Sequence, residues 1–233
     1  MPWDFWLIFL ILAIVIPWRG RVRLQHLLDR PAADTKEKLV LYGSTIVFQW
    51  ILAGLVAWRG FSRGLSAGEL GVSRPVNAEL LLWSLAGAAA LGSFQWFNLR
   101  RVGRMSGAVP DFMRKLAERV LPRTAIEFGP YAALAVTAGV CEEFLYRGFA
   151  MAALSRAGVF PWAVVLISSI LFGLAHTYQG RSGVAGTTLM GLVFGIARML
   201  LQSLGPVMVW HAVVDLAAGI AGPRFLLGRG SGR

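Results

Sequence analysis

Charge is scarce in this chain. Of its 233 residues only 15% are charged, against 56% hydrophobic, and the mean hydropathy is +0.61. A soluble domain of this length carries far more charge, so that class is excluded. Cysteine is nearly absent: Cys141 stands alone, which excludes an internal disulfide and leaves the redox compartment unspecified. Internal repeats and low-complexity tracts are missing too. Acids are half as common as bases, 12 against 23, for a net charge of +11. That excess would suit nucleic acid in a soluble protein. With this hydropathy it belongs to topology and to anionic lipid headgroups, so no nucleic-acid partner is expected. A secretory signal is lacking as well. MPWDFWLIFLILAIVIPWRGR has its acid before the apolar run and its arginines after it, the reverse of signal-peptide polarity, and reads as a retained first span.

What is present is a series of apolar blocks close to the roughly 20 residues that a helix needs to cross a bilayer. The candidate spans are Trp3–Trp18, Leu39–Trp58, Leu80–Leu99, Pro130–Leu154, Phe160–His176, Gly183–Leu201 and Pro206–Gly222. The fold class expected is therefore all-α: a polytopic helical membrane protein of about seven transmembrane helices, or eight. Trp and Tyr gather near several span ends, as interface anchors do. Three parts are expected: N-terminal membrane helices with an interfacial linker over 1–129, a core over 130–222, and a short, frayed basic tail over 223–233. Most basic residues follow span one (Arg19 to Lys38), follow span three (Arg100 to Arg123) or sit in the tail. By the positive-inside rule the N-terminus lies outside and the C-terminus in the cytoplasm. In the linker, Phe112, Leu116 and Val120 recur at i, i+4 with basic residues opposite, which fits an interfacial helix or a solvated linker helix.

A charged residue in hydrocarbon costs at least about 2.5–3.5 kcal/mol on insertion scales, so each one needs a reason. The last four spans hold Glu142, Glu143 and Asp215, the histidines His176 and His211, and the bases Arg147 and Arg198. Spans four and five form a hairpin with its turn near Ser155–Val159. At about 1.5 Å per residue, Glu142 and His176 both lie roughly 20–25 Å from that turn, at similar depth. His211 follows the Gly205-Pro206 break by only five residues, which predicts a shallow position. To meet the others, either the QSLGP turn dips into the bilayer or the last span starts deeper. Glu143 and Arg147 are i, i+4 neighbours that can pair. Glu142 points about 100° away, has no basic partner at helical spacing, and is available for proton transfer. His211 and Asp215 are i, i+4, as are Phe172 and His176.

The ordered set Glu142-Glu143-x-x-x-Arg147, Phe172-x-x-x-His176 and His211-x-x-x-Asp215 resembles the CAAX-protease and bacteriocin-processing family of intramembrane endopeptidases, which includes the Ras-converting type. The resemblance covers roughly 130–222. It implies a peptidase whose site lies inside the membrane and opens toward the cytosol, hydrolysing a peptide bond by water activated between Glu and His. Carried onto this chain, Glu142 would be the general base, His176 would position the water, and His211 with residue 215 would stabilise the oxyanion or hold the geometry. Glu143, Arg147 and Phe172 would be supporting. Asn is common in the family at the last position, where this chain has Asp215. An ionised Asp cannot donate to an oxyanion, so Asp215 is protonated, orients His211, or serves a metal. If a metal such as Zn²⁺ is present, His176, His211 and Glu142 form a reasonable ligand set with an open position for water. HExxH is missing, and a carboxylate with two histidines also activates water directly. The expected partners are the bilayer and a membrane-associated peptide or lipidated protein substrate. The short, loop-poor chain would suit a bacterial plasma membrane.

Other readings use part of the same residues. A rhomboid-like serine protease would use Ser182 of Gly180-Arg-Ser-Gly183 with His211, but Ser182 reads as a loop residue and Glu142 and His176 are then unexplained. A proton-coupled transporter also buries carboxylates and histidines, though it usually shows repeat symmetry. A catalytically inactive scaffold or immunity protein would be free to lose Glu142 or His176, and here both are present. Gly191-x-x-x-Gly195 is expected to serve close helix packing.

Overall fold

The computed structural model describes residues 1–29, 34–104 and 110–227. Among these residues the chain is helical with short connections and no strand. We number the helices α1 (Trp3–Leu28), α2 (Thr35–Ser62), α3 (Ala78–Arg104), α4 (Asp111–Val120), α5 (Ala125–Arg156), α6 (Pro161–Ala175), α7 (Gly180–Leu201) and α8 (Gly205–Leu226). The molecule is a polytopic all-α membrane protein. Every expected span falls on a helix, but by length and composition five helices can cross a membrane, or six with α4 and α5 taken as one bent span. The difference from about seven lies partly in α6. Its 15 residues rise about 22 Å, short of the roughly 30 Å hydrocarbon core.

Local chemistry sets several helix starts. Asp34 caps α2 by accepting from the Glu37 backbone N–H at 2.7 Å, and Thr124 caps α5 through the Glu127 N–H. Pro161 opens α6, where its missing N–H costs nothing. α5 thus starts before Pro130, which is carried inside the helix. At the other end, α8 runs on through Pro223 to Leu226. The start of the expected frayed tail is therefore helical, its Leu226 packed with Leu99 and Ala117; the remainder, with Arg229 and Arg233, lies outside the described residues, as does Arg30.

α5 is the central helix. Leu145 to Ala150 are all buried, which a helix achieves only when it is surrounded, and 144–150 adopts a π-helical turn inside it, a distortion often found at functional sites. Small residues set how closely the neighbours approach. A Cβ on Gly139 would lie 2.7 Å from the Met208 carbonyl oxygen of α8, and one on Gly191 would lie 3.1 Å from Ser169 Cα of α6. Gly191 and Gly195 therefore serve intramolecular packing, α7 against α6. The outer surfaces of α1 and α3 expose Trp3, Trp6, Leu82, Leu85, Phe94 and Phe97, an apolar exterior suited to lipid.

α4 meets α5 at a 96° bend. The corner is tied down by Lys38, which is buried and donates to the Leu121 carbonyl at 2.8 Å and to Glu127 at 3.0 Å, and by Tyr42, which donates to the Val120 carbonyl. At the opposite end, Asp4 is paired with Arg59 and Arg63, joining the start of α1 to the end of α2. The α2–α3 connection, 63–77, packs over the α7–α8 turn. The Leu204 N–H donates to the Gly71 carbonyl at 2.9 Å, Arg74 to the Leu201 carbonyl, and Arg198 to the Glu69 carbonyl. Leu65, Leu70 and Leu204 are buried there. The turn before α8 is thus packed under this connection at Ser203 and Leu204, with Gln202 and Gly205 left exposed, and His211 in the second turn of α8 reaches Glu143.

Candidate active site

α5 carries Glu142 and Glu143 on different faces, and each meets its own histidine. Glu142 Oε2 is 3.9 Å from His176 Nε2. That separation is too long for a direct hydrogen bond and suits a bridging water. The other oxygen, Oε1, accepts from Gln49 Nε2 of α2 at 2.6 Å. His176 sits at the C-terminal cap of α6, and its Nδ1 lies 2.8 Å from the Phe172 carbonyl oxygen. A carbonyl only accepts, so Nδ1 carries the hydrogen and, in the neutral ring, Nε2 offers its lone pair toward Glu142.

The second half is more deeply buried. His211 Nδ1 is 2.8 Å from Glu143 Oε1, which also takes Arg147 Nη1 at 3.1 Å. Glu143 and Arg147 are both 0% exposed, so their mutual pairing offsets a desolvation that neither could sustain alone. His211 Nε2 faces Asp215 Oδ2 at 3.7 Å. Phe172 joins the two halves. Its ring lies 4.6 Å from that of His176 and 5.8 Å from that of His211, and the Arg147 guanidinium stacks on it at 4.2 Å, a cation–π contact in a dry site. Tyr131 hydroxyl donates to the Asp215 carbonyl at 2.9 Å.

Two cavities reach this cluster. The larger, about 530 Å³, is lined by Glu142, His176, His211 and Asp215; the smaller, about 220 Å³, shares Glu142 and His176 and runs between α1 and α2. Leu116 and Val120 of α4 border both. α4 therefore packs over the cavities through these two residues.

All the residues expected from the motifs, Glu142, Glu143, Arg147, Phe172, His176, His211 and Asp215, come together. Glu143 has a wider part than pairing with Arg147, since it also holds His211. Ser182 lies on the exposed first turn of α7 rather than in a loop, and lines neither cavity. Gln49 and Tyr178 are additions. The Tyr178 ring is 5.7 Å from that of His176. Gln49 carried a readable signal, an amide within an apolar span; Tyr178 carried none beyond its closeness in sequence to His176. Among the described residues, no three His, Cys, Asp or Glu side chains are grouped so as to hold a metal ion. His176, His211 and Glu142 thus form no such group.

A buried carboxylate–imidazole cluster in a cavity among membrane helices defines a polytopic membrane protein with an embedded polar site. Residues 125–217 match the Rce1-like family model, described as type II CAAX prenyl endopeptidase Rce1-like. The segment that builds the site is thus similar to the CAAX-protease family, a likeness that supports an intramembrane endopeptidase of that kind. No curated protein and no solved structure matches the chain.

Proposed function

We propose that this protein hydrolyses a peptide bond of a membrane-associated substrate, with water activated by Glu142 and His176 and without a metal. The observation that carries this reading is the 3.9 Å gap between Glu142 Oε2 and His176 Nε2, at the junction of the two cavities. A water held there gives one proton to Glu142 and its second hydrogen bond to His176 Nε2. Its oxygen attacks the scissile carbonyl carbon, whose π electrons move to oxygen. His211, with carboxylates at 2.8 and 3.7 Å, is suited to carry a positive charge and to donate Nε2–H to that oxyanion. In this role Asp215 orients His211 and need not donate, which fits Asp where the family commonly has Asn. As the tetrahedral intermediate collapses, the proton on Glu142 passes to the leaving amine and the C–N bond breaks. Glu143 and Arg147 hold His211 in place. The N-terminus faces outside and the C-terminus the cytoplasm of a bacterial plasma membrane, so that the α4 end of the cavities opens toward the cytosol.

The test is cleavage of a quenched farnesylated CAAX peptide and of a membrane-protein digest by purified protein, with and without a strong zinc chelator. Glu142→Gln and His176→Ala are expected to lower the rate about 10²–10⁴-fold with the folded protein retained. Ser182→Ala should leave it intact, and the chelator should have no effect. Wild-type rates in Glu142→Gln would sink the assignment, and loss of activity with chelator would replace the metal-free mechanism.

A further inference from the structure

The larger cavity holds two amides that the proposed chemistry does not use. Four side-chain amides line it: Gln49, Gln95, Asn98 and Gln179. Gln49 donates to Glu142, and Gln179 donates to the Tyr178 hydroxyl at 3.2 Å. Gln95 and Asn98, both on α3, have no hydrogen-bond partner among the described residues. Three residues apart, they are neighbours on one helix face, about 4.5 Å from each other along the axis. Gln95 is half-buried and Asn98 exposed, so both are open to a ligand. An amide within an apolar membrane helix is costly unless something satisfies it. α3 also lies outside the residues that match the family model.

The surroundings define what these amides can meet. His211 and Asp215 line the larger cavity and not the smaller one, so a peptide whose scissile carbonyl reaches His211 runs through the larger. A main chain held there needs partners for its N–H and C=O groups. Glu142, His176 and His211 attend to the peptide unit being cut, and the neighbouring unit needs others. In extended backbone one residue directs its N–H and its C=O to the same side. A side-chain amide offers both a donor and an acceptor and carries no charge, which matches a neutral peptide edge better than an ion. On the α7 wall Gly186 leaves room, since a Cβ there would meet nothing within 4 Å. Thr187 beside it gives its hydroxyl hydrogen to the Gly183 carbonyl at 2.9 Å. α7 thus offers space, and α3 offers hydrogen bonds.

We infer that Gln95 and Asn98 hold the main chain of the bound peptide next to the scissile bond, pairing with the N–H and C=O of one extended residue in space that Gly186 keeps open. This rests on the endopeptidase reading and adds to it a main-chain clamp on α3. The clamp reads backbone and no side chain, so side-chain changes at the clamped residue should be tolerated where a backbone change is not.

The experiment uses a fluorescent farnesylated CAAX peptide and a series in which each amide flanking the scissile bond is replaced in turn by an ester. Each ester removes one N–H and weakens one carbonyl acceptor. Binding is read by anisotropy on the full-length Glu142→Gln protein in neutral detergent, and cleavage on the wild type. One ester should weaken binding about tenfold and raise the wild-type KM to match. Gln95→Leu or Asn98→Leu, added to Glu142→Gln, should weaken the all-amide peptide about tenfold and shrink the cost of that ester to about twofold or less, the coupling that a double-mutant cycle measures. A substitution that only loosened the fold would leave the ester cost in place. Gly186→Leu should weaken binding about tenfold or more with its melting temperature kept. Esters that all bind like the amide overturn the inference with no variant needed, as does an ester cost that persists in both α3 variants. Unchanged binding in Gly186→Leu overturns the placement of the peptide. A cycle that closes as expected while the wild type cleaves none of the peptides would uphold the clamp and sink the endopeptidase reading.

Discussion

Gln49 belongs to α2, outside the segment that matches the family, yet it makes the shortest contact to the proposed general base. Its amide nitrogen donates to Glu142 Oε1 at 2.6 Å, and its own Oε1 is buried without a hydrogen-bond partner. A one-sided hydrogen bond of this kind fixes the carboxylate so that Oε2 is presented to His176. Gln49→Met keeps the volume and removes the donor. It is expected to lower kcat about tenfold with little change in KM, the pattern for an interaction that matters in the transition state, while the folded protein persists. Steady-state kinetics on the quenched peptide check it, and an unchanged kcat would reduce Gln49 to packing. Glu142 itself was readable as special because, of two adjacent glutamates, it alone lacks a base at helical spacing.

Helix crossings decide whether these side chains meet. Glu143 reaches His211 because α5 and α8 touch backbone to backbone at Gly139, where an added Cβ would lie 2.7 Å from the Met208 carbonyl oxygen and 3.0 Å from the Ala212 nitrogen. Neither atom can rotate away. Gly139→Val should destabilise by about 1–3 kcal/mol or more, as overpacking does, and should separate Glu143 from His211. Gly54 of α2 is the contrast, with nothing within 4 Å of its would-be Cβ. Gly54→Ala should be neutral or stabilise by about 0.4–1 kcal/mol through the unfolded chain. Thermal unfolding of both variants in detergent reads the difference, and equal melting points would refute the packing argument.

For the molecule as a whole, the 63–77 connection closes the end of the bundle opposite α4. Glu69 organises it, accepting from the Ser66 N–H and hydroxyl, both at 2.8 Å, and from Arg156. The Ser66 backbone N–H, with that hydroxyl and the Arg156 guanidinium, holds the Glu69 carboxyl below the usual glutamate range, against partial burial that pushes it up. A carboxyl lowered on folding contributes stability above its unfolded pKa, and this is lost as pH falls through the folded value. The melting temperature should therefore hold down to about pH 4.5 and drop below it. Glu69→Gln should lower it at neutral pH and flatten that part of the acid decline. A parallel acid decline in wild type and variant would remove Glu69 from the account.

The sequence alone determined the all-α membrane character, because long apolar blocks leave the backbone only helix in lipid. It also determined the pairs Glu143–Arg147 and His211–Asp215, because i, i+4 spacing is local geometry, and the shared depth of Glu142 and His176, because both count back to one short hairpin turn. Only the tertiary structure decided that Glu143 holds His211, that Gln49 holds Glu142, and that Ser203 and Leu204 of the turn before α8 pack beneath 63–77. Those contacts join residues far apart in the chain. They depend on where helices cross, which glycine contacts and buried turns set and which residue spacing along one helix does not encode.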